Sequence, residues 1–88
     1  MKIYYSSKFV AGYKKLPSNV KKLAEQKEQI FRKNPFDPRL ETHKLKGSLK
    51  GFLSFSIDKK YRIVFEIVNP NMAWFHLAGD HSIYKSWE

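Results

Sequence analysis

Apolar residues recur along the whole chain, but with two different periods. A short β-prone start, Lys2 to Tyr5, leads to Ser6 and Ser7, either of which can cap a helix by accepting a bond from a free backbone N–H. Phe9, Val10, Tyr13 and Leu16 then fall on one helical stripe. Pro17 and Ser18 interrupt it, after which Val20, Leu23, Ala24, Ile30 and Phe31 resume the 3.6-residue period, with Lys, Glu and Gln on the remaining face. This second helix is predicted to stop at Asn34-Pro35, because the residue before proline is pushed out of the α region. The two helices read as an antiparallel hairpin.

Asn34-Pro35-Phe36-Asp37-Pro38 is turn chemistry, and the segment from Arg39 to Lys50 is polar and basic, anchored by Leu40, Leu45 and Leu49. It is expected to be a loop with at most a short strand near His43 to Lys46. From Phe52 the period becomes two: Leu53, Phe55 and Ile57 alternate with Ser54 and Ser56. Asp58-Lys59-Lys60 makes a tight connection to a strand in which Tyr61, Ile63, Phe65 and Ile67 alternate with Arg62, Val64, Glu66 and Val68. Asn69-Pro70-Asn71 turns the chain into a last strand, Met72 to Ala78. The expected fold is α+β: an N-terminal strand, a helical hairpin, and a three-stranded antiparallel meander completing a four-stranded sheet. Leu53, Phe55, Ile57, Ile63, Phe65 and Ile67 should face the helices, leaving Ser54, Ser56, Arg62 and Glu66 on a partly open face where function is to be sought.

Eighty-eight residues that are 42% apolar suit one domain, 1–88, with no room for a second. The chain has no cysteine, so disulfides and thiolate metal sites play no part, and a reducing compartment is expected. The N-terminus turns polar too soon for a signal peptide or a membrane span, and the expectation is a soluble cytoplasmic protein. Seventeen Lys and Arg against eight Asp and Glu give a net charge of +9, which attracts polyanions. Nucleic acid, the ribosome, an anionic membrane and an acidic protein all satisfy that charge, and composition does not choose among them.

The three histidines, His43, His76 and His81, are too scattered for a metal site, and neither a glycine-rich phosphate loop nor a nucleophile elbow is present. What remains is Arg62 in mid-strand, His81 and Tyr84 beyond the last strand, and the basic loop His43-Lys44-Leu45-Lys46. These residue types suit RNA cleavage without a metal. That reaction needs a base for the ribose 2′-OH, a cation beside the phosphorus and an acid for the departing 5′-oxygen. Histidine titrates near neutral pH, and arginine offers a two-pronged fork to phosphate oxygens. Each residue also has a plainer reading: Arg62 as a cross-strand partner of Glu66 or Asp58, the loop lysines as solvated charges, His76 as a structural residue beside Trp74, and Tyr84 and Trp87 as packing for the tail.

Three stretches carry a family resemblance: Leu45-Lys46-Gly47-Ser48-Leu49-Lys50-Gly51-Phe52-Leu53-Ser54-Phe55-Ser56-Ile57, then Tyr61-Arg62-Ile63-Val64-Phe65, then Gly79-Asp80-His81-Ser82-Ile83-Tyr84. In this order they resemble the RelE/ParE toxin superfamily of type II toxin–antitoxin systems. The resemblance implies a ribosome-dependent messenger RNA endoribonuclease that inhibits translation, with Arg62 stabilising the transition state, His81 as general acid and Tyr84 as the terminal aromatic. His43 falls where YafQ-like members carry a functional histidine. Lys44, Lys46, Lys50, Lys59 and Lys60 are the candidate RNA contacts. The paired lysines of RelE itself correspond to Leu53 and Phe55, and a further YafQ-like histidine corresponds to Ser56. The general base is therefore open among His43, Lys46 and Glu66, in that order. No metal or cofactor is expected. The implied partners are an acidic antitoxin, the ribosome and mRNA, with no membrane. The alternatives are a ParE-like inhibitor of DNA gyrase without nuclease activity and an inactive antitoxin-binding homologue.

Overall fold

The change of period at Phe52 marks the boundary between two layers. The computed structural model describes residues 1–87, with side chains described as far as Tyr84, so the expectation for Trp87 lies outside the described side chains. Strand β1 (Lys2–Tyr5) is followed by helices α1 (Ser7–Lys14) and α2 (Ser18–Lys33), then by β2 (His43–Lys44), β3 (Leu53–Ser56), β4 (Arg62–Asn69) and β5 (Met72–Gly79). Short 3-10 segments occupy Pro38–Leu40, Gly47–Leu49 and His81–Trp87. Ser6 is the α1 cap: its Oγ accepts from the Phe9 N–H at 3.0 Å and donates to the His76 carbonyl at 2.8 Å. One hydroxyl thus starts the helix and fastens it to β5. Helix α2 ends at Asn34, before Pro35, as the proline requires.

The strands lie in the order β1-β5-β4-β3-β2. Strand β1 runs parallel to β5, and the remaining pairings are antiparallel. The expected four-stranded antiparallel sheet is therefore a five-stranded mixed one. Two physical reasons account for the difference. The helices carry the chain across the sheet so that β1 and β5 end side by side in the same direction, and the basic loop pairs His43 with Ser54 and Lys44 with Leu53 to add a two-residue edge strand. Alternation along β5 is also broken. Val64 stands opposite Leu77 but Phe65 opposite Phe75, leaving His76 as the extra residue of a β-bulge. The bulge puts Leu77 on the His76 side of the sheet and returns Ala78 to the helices, where it joins the main core.

That core is aromatic. Phe31 from α2 lies 4.8 Å from Phe65, 5.0 Å from Phe75 and 5.3 Å from Phe55, centroid to centroid, and all four rings are fully buried. Ile3, Phe9, Leu16, Val20 and Ala24 surround them. Helix α1 approaches β5 so closely that a Cβ at Gly12 would stand 2.3 Å from the Ala78 carbonyl oxygen, so only glycine fits there.

The opposite face is less open than the alternation implies. Ser54 and Ser56 do point away from the helices, yet both are buried, together with Val64, Leu77 and Leu49. The segments Gly47–Leu49 and His81–Trp87 pack against each other over this end of the sheet, and the second also packs against β5. Leu49 supplies the apolar anchor. Among the described residues, no helix is long and apolar enough to cross a membrane.

Candidate functional site

Where the basic loop and the C-terminal segment meet over β4, they leave a cleft of about 350 Å³. His43, Lys46, Arg62, His81 and Tyr84 line it, with Leu45 and Leu49 as its apolar part. Five residues from three separate stretches of sequence are thereby brought together. The loop is shaped by Gly47 (φ 67°) and Gly51 (φ 99°), whose backbones adopt angles that side-chain-bearing residues rarely take. Between them Leu49 is held down, and Lys46 is left exposed at the rim.

Arg62 begins β4, and its Nη1 donates to the backbone carbonyls of Asp58 and Tyr61. The turn that precedes the strand therefore fixes the guanidinium from one side. Asp58 is the partner expected among the plainer readings, but through its carbonyl. Its Oδ1 instead accepts from the N–H groups of Lys60 and Tyr61 and closes the turn. Among the described residues only Nη1 is engaged by the protein, which leaves the Nε and Nη2 N–H groups for an anion in the cleft.

His43 is exposed, and its Nδ1 lies 3.3 Å from the Glu41 carbonyl oxygen. A carbonyl can only accept, so this contact places a proton on Nδ1 and, in the neutral ring, a lone pair on Nε2. His81 is also exposed and opens the C-terminal segment, its ring 6.1 Å from that of Tyr84. The turn before it is tied by Asp80, whose Oδ1 accepts from the Ser82 N–H at 2.9 Å. Hydrogen bonds from Ser82, and then the nearby charges of Lys60 and His81, hold the Asp80 carboxyl below the ordinary carboxylate range. The Tyr84 hydroxyl lies 3.0 Å from Oγ of the fully buried Ser54. This last contact is the functional-site feature that sequence reasoning missed. Period-two alternation marks Ser54 as facing away from the helices, but nothing local signals that a residue thirty positions later closes over it.

The remaining candidates lie elsewhere. Glu66 is turned to His76, Oε1 to Nε2 at 2.8 Å, and does not line the cleft. His76 is thus engaged as the structural reading has it. Lys44 and Lys50 border a neighbouring hollow that shares Leu45 and Lys46 with the cleft. Lys59 and Lys60 are exposed on the turn between β3 and β4, where the Lys60 ammonium stands 5.4 Å from the centre of the Tyr61 ring.

No protein-family model and no curated protein matches the sequence. Solved structures do match the fold. The crystal structure of YafQ from E. coli strain BL21(DE3) superposes with a TM-score of 0.78 over 94% of this chain and 96% of its own, at 17% identity. This is the RelE-like toxin fold. A YoeB/ParE toxin from Agrobacterium tumefaciens has the same fold with a TM-score of 0.78 at 16% identity, covering 92% of this chain and 99% of that one. The YoeB–YefM complex from Staphylococcus aureus has it with a TM-score of 0.75 at 20% identity, over 92% and 97%. The RelE-like fold expected from the three sequence stretches is thus the fold observed, with its sheet one short strand wider.

Proposed function

We propose that the chain is the toxin of a toxin–antitoxin pair and acts as a ribosome-dependent endoribonuclease on mRNA. The observation that carries this reading is the cleft, in which a fixed guanidinium, two histidines, a lysine and a tyrosine converge from three parts of the sequence. The RelE-like fold shared with YafQ and YoeB toxins supports it. The S. aureus neighbour is a complex of YoeB with YefM, and the excess of nine positive charges here fits an acidic protein partner as well as RNA.

In this reading the scissile phosphate sits against the free edge of Arg62. A base removes the proton of the ribose 2′-OH, whose oxygen attacks the adjacent phosphorus. The 5′-oxygen of the next nucleotide leaves, taking a proton from His81. The products are a 2′,3′-cyclic phosphate and a 5′-OH. Arg62 meets the charge that accumulates on the phosphoryl oxygens in the transition state. His43, with Nε2 as its acceptor, is the favoured base, and Lys46 is second. Glu66 ranks last because its carboxylate is committed to His76 outside the cleft. Tyr84, held by Ser54, offers a ring on which a base can stack.

The test is induced expression of the wild type and of Arg62→Ala, with mapping of mRNA ends. Cuts within translated messages that vanish in the variant support the reading. Growth arrest without new mRNA ends, accompanied by loss of gyrase supercoiling in a parallel assay, would replace it with a gyrase inhibitor.

A further inference from the structure

We infer that the face of the sheet carrying the cleft continues into a stacking track for single-stranded RNA, in which Phe52 and Trp74 take bases and Lys46 and Lys50 take phosphates. The inference rests on the cleft being an RNA site and names surface beyond it.

Three observations converge. The Trp74 ring is 43% exposed although it belongs to a central stretch of β5, and it is stacked on His76 at 4.9 Å with 28° between the planes. His76 cannot turn freely, because Glu66 binds its Nε2 at 2.8 Å and the Phe52 ring meets it edge-on at 5.2 Å. Phe52, at the entry to β3, thus meets His76 across β4, and His76 stacks in turn on Trp74 of its own strand, making a row of rings that ends at the partly exposed indole. Orienting an exposed indole in advance lowers the entropy lost when a base stacks on it.

The second observation is continuity. Phe52 also borders a hollow of about 460 Å³ that shares Leu45 and the exposed Lys46 with the cleft, and Lys50 stands on its rim. Third, the span is short. Trp74 is paired with Glu66, four residues along β4 from Arg62, or about 13 Å at the rise of a strand. A strand of RNA whose reacting phosphate lies at Arg62 can therefore pass the lysines and reach the indole within a few nucleotides.

The occupant follows from this chemistry. A row of aromatic rings across a sheet, flanked by cations, suits single-stranded nucleic acid, where bases stack and phosphates pair with ammonium groups. An apolar protein surface would have no use for the lysines at the rim. An acidic one would gain from the lysines but not from the row of rings.

The experiment uses the intact chain and a labelled, uncleavable 2′-O-methyl oligoadenylate, with an abasic strand of the same length as the second probe, read by fluorescence anisotropy at low salt. Trp74→Ala should weaken binding of the base-bearing strand about tenfold and leave the abasic strand unchanged, while Trp74→Phe, which keeps a π-face, should restore most of the loss. Lys46→Ala with Lys50→Ala should weaken both probes. Equal affinity of wild type and Trp74→Ala for oligoadenylate overturns the track, as does a wild type that binds the abasic strand equally well. Unchanged RNA affinity combined with loss of a co-purifying protein partner in Trp74→Ala assigns the row to that partner and also overturns it. The two readings fail separately. Cleavage that persists in Arg62→Ala sinks the nuclease but not the track, whereas normal cleavage with a Trp74→Ala that binds like wild type sinks the track alone.

Discussion

The two faces of the sheet are built by opposite rules. On the helix side, Phe31, Phe55, Phe65 and Phe75 are each fully buried and come from four regular elements, so their positions are fixed by packing. On the other side, His43, Lys46, His81 and Tyr84 come from short or irregular segments around the end of β4, and they are held by a handful of hydrogen bonds and by Leu49. Only Arg62 belongs to a long strand. The comparison teaches that the first face supplies stability and the second spends little of it. The cleft keeps charged groups in reach of solvent, where they need no buried partner, and relies on β4 for its one rigid reference point.

If that division holds, the largest effects on stability belong to the phenylalanines. Phe31→Ala should lower stability by about 3–5 kcal/mol, read as urea or thermal unfolding, since it removes a ring that contacts three others and leaves a cavity among them. A loss below 1 kcal/mol would show that the core is looser than its geometry. Arg62→Ala should do the reverse. Cleavage should fall by roughly 10²–10³-fold, the scale for removing one transition-state donor. Stability should change by only about 1 kcal/mol, for the bonds to the carbonyls of Asp58 and Tyr61. Arg62→Lys tests the geometry further: it keeps the charge and loses the fork, so activity should stay closer to the alanine variant than to wild type.

Much of the first face was legible in the sequence, because periodicity reports burial directly. Phe9, Leu16, Val20, Ala24 and Phe31 were on the helical stripes, Phe55, Ile63 and Phe65 were in the strand alternation, and all are core. Pro35 ended α2 where expected. Two things were not legible. The parallel pairing of β1 with β5 is a long-range choice made by the path of the helices, and no local pattern encodes it. The burial of Ser54 and Ser56 depends on the loop and the C-terminal segment folding over them, which alternation alone cannot report. The cleft residues were recognisable by residue type and by resemblance, but their convergence is a tertiary fact. Glu66 shows the difference: on its own strand it alternates with the core as Arg62 does, yet the bulge at His76 gives it a different partner.

A subtler way to sharpen the comparison is to disturb the one place where the cleft is fastened to the buried sheet. Ser54→Ala removes the hydroxyl that meets Tyr84 and leaves the small buried volume nearly unchanged. Stability should fall by about 1 kcal/mol. If the tyrosine needs that anchor to position RNA, cleavage should fall several-fold mainly through KM, and Ser54→Thr, which keeps a hydroxyl, should recover part of it. A stability loss with unchanged kinetics would separate the tether from function.

The smallest effect is expected at a distance from both faces. Asp37 caps the 3-10 segment Pro38–Leu40, its Oδ1 accepting from the Arg39 N–H at 2.9 Å while Oδ2 meets the Arg39 guanidinium at 2.9 Å. The hydrogen bond from the Arg39 side chain, then that from its backbone, holds the Asp37 carboxyl down to about 2. The folded value is lower than the unfolded one, so the carboxylate's contribution is fully present above the unfolded value, near 3.9, and is lost as pH falls through about 2. Because the pair lies at the surface, with the Arg39 side chain largely exposed, the contribution is small and screened by salt. Acid unfolding of wild type and Asp37→Asn should therefore show a slight gap at neutral pH that closes below about pH 2. A gap that widens on acidification would reverse the assigned sign. Its closure should leave the Phe31 core and the Arg62 cleft equally undisturbed, because neither borrows stability from this turn except through the buried Leu40 that it presents.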